Sequence, residues 1–237
     1  MFSRWVTLVV SIYMMLVGGT LYSYPAWSPS LKTSLDYNTS ELNFIGVCVN
    51  AGVWMSVLGG IVLDKFGVKV CSLWAAVLIL GGYGPVVYAI LTAHHWRMPA
   101  LIMGALCLLA NQGLGWVYLT ALKLTVNNFP AEYRGKVVGS SVCFFGLSSG
   151  VFVCFYRAFF NSAAPFLVCL TLSGVAACLL CFFFCNMLPD STFLPSEQKV
   201  VGRISDVNVL AVVVTLAVMV SSLLRVFYPS FTDQYSH

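Results

Sequence analysis

The segment of residues 60–69 carries the charged groups with the clearest chemical role. It reads Gly-Ile-Val-Leu-Asp-Lys-Phe-Gly-Val-Lys, which places the carboxylate of Asp64 near the cations Lys65 and Lys69. A carboxylate in such a turn can cap a helix N-terminus or pair with a cation. Gly60 permits close approach of a neighbouring helix, and Gly67 permits a tight reversal of the chain.

A second charged turn, residues 127–139, contains Arg134 followed by Gly135. If both turns lie on the same side of a membrane, Asp64 and Arg134 can form an ion pair that holds one conformation of a gate. We therefore predict a charge latch between these two residues. The alternative is an ordinary charged turn whose cations only set the orientation of the chain.

Six neutral polar side chains interrupt otherwise apolar runs and could bind a solute. In lipid every amide needs hydrogen-bond partners, so the amides must face protein or a watery cavity. Hydrogen bonding between helices is the alternative role. The candidate solute path consists of Tyr22, Tyr24, Asn50, Asn111, Gln112 and Tyr118.

The sequence lacks familiar patterns of catalysis and metal binding. It has no Gly-rich phosphate loop and no H-E-x-x-H motif, and its nine cysteines all fall inside apolar runs. Cys178, Cys181 and Cys185 share a helix face without a nearby His or carboxylate, which favours packing over a metal site. His94 and His95 are adjacent in a loop, where two rings seldom bind one metal. We expect neither an enzyme nor a cofactor.

The elements that position these residues are membrane helices. The chain has 237 residues, of which 59% are hydrophobic and 8% charged, and its mean hydropathy is +0.90. About 20 apolar residues are needed to cross a hydrocarbon core of roughly 30 Å. Long continuous runs favour helices over the short alternating strands of a barrel. Seven such runs occur: Trp5–Tyr24, Phe44–Leu63, Val70–Leu91, Pro99–Leu122, Val137–Phe160, Ala164–Leu188 and Val207–Phe227.

The cations predict which side of the membrane each loop occupies. With a cytoplasmic N-terminus, eight of the 12 Lys and Arg residues lie inside, as the positive-inside rule requires. They are Arg4, Lys65, Lys69, Lys123, Arg134, Lys136, Lys199 and Arg203. These cations are scattered over short loops, which excludes a nucleic-acid surface.

The segment Gly60 to Lys69 resembles the signature between helices two and three of the major facilitator superfamily. That signature is Gly, three residues, Asp, a basic residue, any residue, Gly, any residue and a basic residue. In this chain the segment also lies between the second and third apolar runs, where the signature is expected. It implies that the turn is a gate.

Further short motifs lie along the first 188 residues. They are Ser28-Pro29-Ser30-Leu31-Lys32, Leu35-Asp36-Tyr37, Leu42-Asn43, Gly81-Gly82-Tyr83-Gly84, Asn127-Asn128-Phe129-Pro130, Arg134-Gly135 and Gly146-Leu147-Ser148. Together they resemble the nodulin-like branch of that superfamily. The resemblance covers residues 1 to about 188 and implies a secondary transporter of small solutes, built from two six-helix halves that rock about a central site.

The chain departs from this pattern at three membrane positions. It has Asn50 where plant relatives carry an acidic residue, Val142-Cys143 where a Lys is expected, and Leu109 in place of the Arg of a helix-four signature. These differences remove charge from the membrane. Proton coupling through an embedded carboxylate is therefore not expected.

We predict an all-α membrane protein with four parts. They are a six-helix major facilitator N-terminal half (1–188), a cytoplasmic linker (189–206), a seventh transmembrane helix (207–227) and a polar tail (228–237). Its partners are the bilayer, a small solute, and either a second copy or a C-terminal half. We expect an incomplete or truncated transporter. The alternative is a non-transporting membrane subunit or a gene-model fragment.

Overall fold

The computed structural model describes residues 4–187 except 95 and 161, together with residues 209, 213 and 220. This part of the chain is helical and has no strand, which confirms the predicted all-α membrane fold. The elements are α1 (Arg4–Gly18), a 3-10 helix (Gly19–Ser23), α2 (Tyr24–Leu35), α3 (Thr39–Trp54), α4 (Val57–Leu91), α5 (Ala100–Asn127), α6 (Ala131–Phe159) and α7 (Ala163–Phe184).

The first membrane pass is longer than predicted. α1, the 3-10 helix and α2 form one 32-residue helical stretch that ends at Leu35, so the predicted end of the first run at Tyr24 is wrong. Pro25 lies in the first turn of α2, directly after the 3-10 helix. Trp27, Leu31 and Leu35 repeat every four residues and are buried, which stabilises the extra turns.

The link to α3 is short because both helix ends are capped. Asp36 has φ 51°, and its N–H donates to the Lys32 carbonyl. Asn38 Oδ1 accepts a 2.8 Å hydrogen bond from the Glu41 N–H, while the Glu41 carboxylate accepts one of 2.9 Å from the Asn38 N–H. This reciprocal capping box fixes the start of α3.

α3 and α4 together make two membrane passes. They form a 53-residue helical stretch, which would be about 80 Å long if it were straight. However, the Cys71 thiol lies 3.7 Å from the Gly59 carbonyl, whereas residues 12 apart are about 18 Å apart along a straight helix. The chain therefore reverses at Gly67, where α4 has its non-helical residue.

The described residues thus make six passes, at the positions of the first six predicted runs. Residues 189–206, 228–237 and the predicted seventh helix lie outside the described part, apart from positions 209, 213 and 220.

The passes define two faces of the bundle. We call the end that carries Arg4, the bend at Gly67 and the α5–α6 turn the Gly67 face. There the Arg4 guanidinium lies 5.9 Å above the Phe129 ring. The opposite end, with the turns that follow α2, α4 and α6, is the Asn38 face. There Ser30 Oγ accepts a 3.1 Å hydrogen bond from the Ala163 N–H.

α5 lies at the centre of the bundle and packs against α1, α3 and α4. Glycines on its neighbours allow close contact. A Cβ at Gly52 would lie 2.3 Å from the Leu108 carbonyl, and one at Gly82 would lie 2.5 Å from the Ala110 nitrogen. Such small-residue contacts are how helices pack when lipid supplies no hydrophobic driving force.

Candidate gate and solute path

The bend between the second and third passes is tied to α5 by an ion pair. Asp64 Oδ1 accepts a 2.7 Å hydrogen bond from Lys123 Nζ, which also donates to the Leu63 carbonyl at 3.2 Å. The Lys123 side chain is 25% exposed and that of Asp64 is 78% exposed. One cation therefore joins the last turn before the bend to the end of α5.

The two motif glycines have different surroundings. Gly67 has φ 83° and ψ 177°, a backbone conformation that is essentially restricted to glycine. The predicted helix contact at Gly60 is wrong, because no described atom lies within 4 Å of where its Cβ would be. Its neighbour Gly59 makes the contact instead, since a Cβ there would lie 2.5 Å from the Trp116 ring.

The predicted ion pair between Asp64 and Arg134 is wrong for this structure, because Lys123 holds the Asp64 carboxylate. Arg134 lies in the first turn of α6, and α6 packs against α1 and α5. Lys123 is not one of the predicted latch residues. It lies two passes after Asp64 and near the same face, and that position was the signal that could have identified it.

The other motif residues lie on the surface of the Gly67 face. Lys65 and Lys69 are exposed, and so is Gly135 at the start of α6. No described atom lies within 4 Å of a Cβ built at Gly135. The Gly67 face thus brings Asp64 together with Lys123 and leaves these three residues available to groups outside the described bundle.

Two of the predicted solute-path residues meet through a third residue that the sequence did not single out. The Phe145 ring of α6 lies 6.0 Å from that of Tyr22 in the 3-10 helix and 4.5 Å from that of Tyr118 on α5. Tyr22 is 56% exposed. We call Tyr22, Tyr118 and Phe145 the aromatic cluster. Aromatic residues are too common in this chain for the sequence alone to select Phe145.

Tyr24 and Asn50 lie elsewhere. The Tyr24 hydroxyl donates to the Leu42 carbonyl at 2.9 Å and so ties α2 to α3. Asn50 is exposed on α3, and its Nδ2 donates to the Gly46 carbonyl of its own helix at 2.9 Å. The described residues therefore supply only part of the hydrogen bonding that the Asn50 amide needs. Its exposed side faces either lipid or another helix.

Asn111 and Gln112 are buried in α5. Asn111 Nδ2 donates to the Cys107 carbonyl at 2.8 Å. Asn111 lies two helical turns from Tyr118 on the same side of α5. Because it is buried, it is a packing residue inside the bundle.

α6 presents two different faces. One packs on the first pass: the Ser148 hydroxyl donates to the Leu16 carbonyl, and a Cβ at Gly19 would lie 2.3 Å from the Phe145 carbonyl. The other carries an open glycine stripe with no described atom within 4 Å of the added Cβ atoms. The stripe consists of Gly135, Gly139, Gly146 and Gly150.

The turns of the Asn38 face are held by polar contacts. The Tyr37 hydroxyl donates to the Met98 carbonyl at 2.7 Å, and Arg97 lies 2.8 Å from the Glu41 carboxylate and 5.5 Å above the Tyr37 ring. Burial raises the pKa of Tyr37 to about 12, although the Arg97 charge opposes this shift. The turns after α2 and α4 thus form one rigid unit.

Comparison with known proteins identifies the family. The Nodulin-like family profile matches residues 4–235. The chain belongs to the Nodulin-like family. Protein NUCLEAR FUSION DEFECTIVE 4 of Arabidopsis thaliana is 27% identical over 162 residues, which cover 68% of this chain and 27% of that protein. The uncharacterized MFS-type transporter YhjX of Escherichia coli is 29% identical over 148 residues, which cover 62% of this chain and 35% of that protein.

This Nodulin-like chain is therefore a multi-pass membrane protein of a transporter family, and the resemblance seen in the sequence is confirmed. The matched part is 27% of one relative and 35% of the other. The family match spans every helix from α1 to α7.

Proposed function

We propose that the chain supplies six passes of a secondary transporter that moves a small solute by alternating access. The observation that carries this proposal is the Asp64–Lys123 pair of 2.7 Å at the reversal on the Gly67 face. It lies in the segment that resembles the superfamily gate. Membership of a transporter family supports the same conclusion.

The geometry suits a latch that opens and closes. Asp64 is largely exposed and Lys123 is partly buried, and a pair of this kind contributes about 0–1 kcal/mol. A contact of this size can break during each transport cycle without a prohibitive barrier. Gly67 provides the bend whose two sides would move relative to one another.

The proposed path runs along the exposed surface of the bundle. Tyr22 and Asn50 are exposed, and Tyr118 is partly exposed, so these three can contact a solute directly. Tyr24, Asn111 and Gln112 would position the helices around them, since Tyr24 and Asn111 bond to backbone carbonyls and Gln112 is buried. We propose that the Gly67 face and the N-terminus are cytoplasmic, because eight of the 12 cations then lie inside.

A cross-link across the latch tests this function. In a cysteine-free chain, Asp64→Cys and Lys123→Cys would be joined by a short bis-thiosulfonate, which forms a reducible disulfide with each thiol. Uptake of labelled sugars, amino acids, nucleosides and carboxylates into cells would be measured before and after joining. We expect uptake of at least one class, arrested by the cross-link and restored by its reduction. Lys65→Cys with Lys123→Cys is the matched control pair.

A second candidate function is that of a membrane subunit that does not transport by itself. The open glycine stripe of α6 favours it, because such a surface suits docking of another helix. Uptake of no solute class by the chain alone, but uptake after co-expression with a partner, would support this candidate. Absence of uptake in both cases would refute the transport proposal.

A further inference from the structure

We propose, on the basis of the transport function above, that the aromatic cluster forms part of a binding site for an uncharged, ring-bearing solute. Four features of the described residues carry this inference: the place of the cluster in the fold, its rigid support, its two tyrosine hydroxyls and its lack of charge.

The cluster lies where the first pass changes its helical geometry. The 3-10 helix Gly19–Ser23 interrupts a helix that otherwise runs from Arg4 to Leu35, and Tyr22 lies within it. Phe145 lies halfway along α6. Transporters commonly bind their solute near the middle of the membrane at interrupted helices, and a 3-10 stretch inside a helix often marks a functional hinge.

Backbone contacts hold the cluster rigidly. A Cβ at Gly19 would lie 2.3 Å from the Phe145 carbonyl, so the 3-10 helix touches α6 directly. The Ser148 hydroxyl donates to the Leu16 carbonyl one turn away. On the other side, a Cβ at Gly18 would lie 3.4 Å from that of Tyr118. Side chains held in this way lose little conformational entropy when a ligand binds.

The hydroxyls of Tyr22 and Tyr118 donate to no other described residue. Those of Tyr24 and Tyr37, by contrast, each donate to a backbone carbonyl. A tyrosine hydroxyl within a membrane needs a hydrogen-bond partner. A solute with an acceptor oxygen, lying against the rings, would supply one.

Within the described residues, the elements that carry the cluster place no charged side chain beside it, which disfavours a charged ligand. Along α6 the charged residues nearest to Phe145 are Lys136 and Arg157, which lie toward opposite ends of the helix. Lys123, the cation nearest to Tyr118 on α5, is bound to Asp64. A charge buried between neutral rings would lack a partner, whereas the flat apolar face of a ring packs well on aromatic side chains.

The first arm of the test asks whether the cluster faces water. Tyr22→Cys in an otherwise cysteine-free chain is labelled in open membrane fragments with an anionic, membrane-impermeant thiosulfonate. Leu172→Cys is the control, because Leu172 is similarly exposed on α7. We expect labelling at position 22 to be roughly ten-fold faster, since the reactive thiolate forms in water and not in lipid. Equal, slow labelling at both positions would overturn the site and its place in a solute path.

The second arm tests the ligand class with 4-nitrophenyl β-glucoside and the anion 4-nitrophenyl sulfate, which share one ring. The full chain in lipid nanodiscs should gain thermal stability from the glucoside only. Tyr118→Phe and Phe145→Leu should abolish that gain, whereas Tyr88→Phe, at an exposed tyrosine of α4, should retain it. No gain, or an equal gain from the sulfate, would overturn the proposed class. Fast labelling at position 22 would then still support a watery path.

Discussion

At the scale of single residues, the Asp64 carboxylate pairs with Lys123 of α5 and not with Arg134, which lies in the first turn of α6. Charge type and spacing predicted a latch between two turns, but they could not show which cation would pair with the Asp64 carboxylate. That choice depends on which helix packs beside α4. α5 does, and its end therefore supplies the partner.

Double-mutant cycles should separate the two candidate pairs. We expect Asp64→Asn and Lys123→Met to couple by up to about 1 kcal/mol in the free energy of unfolding, as partly exposed ion pairs do. Asp64→Asn and Arg134→Met should show no coupling. Unfolding by sodium dodecyl sulfate in mixed micelles would measure both cycles. A larger coupling with Arg134 would show that the latch prediction from sequence was right after all.

Gly67 provides a second test at this scale. Gly67→Ala forces a side chain into the backbone conformation at φ 83° and ψ 177°, which costs of order 1–3 kcal/mol. Gly67→Asn should be no more stable than Gly67→Ala, because this backbone region is not the left-handed helical one that Asn tolerates. Gly60→Ala is the matched control, since a Cβ there meets open space. A Gly67→Ala chain as stable as the Gly60→Ala chain would argue against the bend.

At the scale of the elements, the sequence indicated the passes well and their ends poorly. Length and hydropathy placed the first six passes, because a continuous apolar run in lipid has to be helical. The end of α2 was missed because Ser28, Pro29 and Lys32 are typical of a loop. Burial of Leu31 and Leu35 outweighs those local preferences. The 3-10 helix, which packs on α6, was not predicted from the sequence.

Adjacent glycines of α4 test how closely α4 and α5 pack. A Cβ at Gly82 would lie 2.5 Å from the Ala110 nitrogen, whereas one at Gly81 meets nothing within 4 Å. Gly82→Ala should therefore destabilise the chain by about 1–3 kcal/mol through overpacking. Gly81→Ala should be neutral or stabilising by up to about 1 kcal/mol. Equal unfolding free energies for the two variants would mean that α4 and α5 do not touch at Gly82.

At the scale of the whole molecule, the alternation of turns predicts which positions face outward. With the N-terminus in the cytoplasm, Phe66→Cys on the Gly67 face should not react with impermeant maleimide in intact cells. His94→Cys on the Asn38 face should react. Both positions are exposed in the structure, so a difference in labelling reports the side of the membrane. Labelling of position 66 from outside would reverse the orientation.

We expect another helix to cover the open glycine stripe of α6. Each glycine within a helix lowers the stability of the helix by about 1 kcal/mol relative to alanine. Contact with lipid does not offset this loss. The four glycines of the stripe have no described atom nearby, yet they would allow a helix to approach closely. That helix could come from a second copy, from a separate C-terminal half or from the chain beyond the described residues.

We therefore expect a larger species when native membranes are cross-linked and dissolved in mild detergent, or a stripe covered within one chain. Gly139→Leu and Gly146→Leu should weaken either contact, because a large side chain blocks close approach of the backbones. The loss would appear as dissociation on size analysis or as a lower free energy of unfolding. Ala105→Leu is the control, since Ala105 is exposed on α5, away from the stripe. A monomer whose stability and solute uptake are unchanged by both stripe variants would show that the stripe faces lipid.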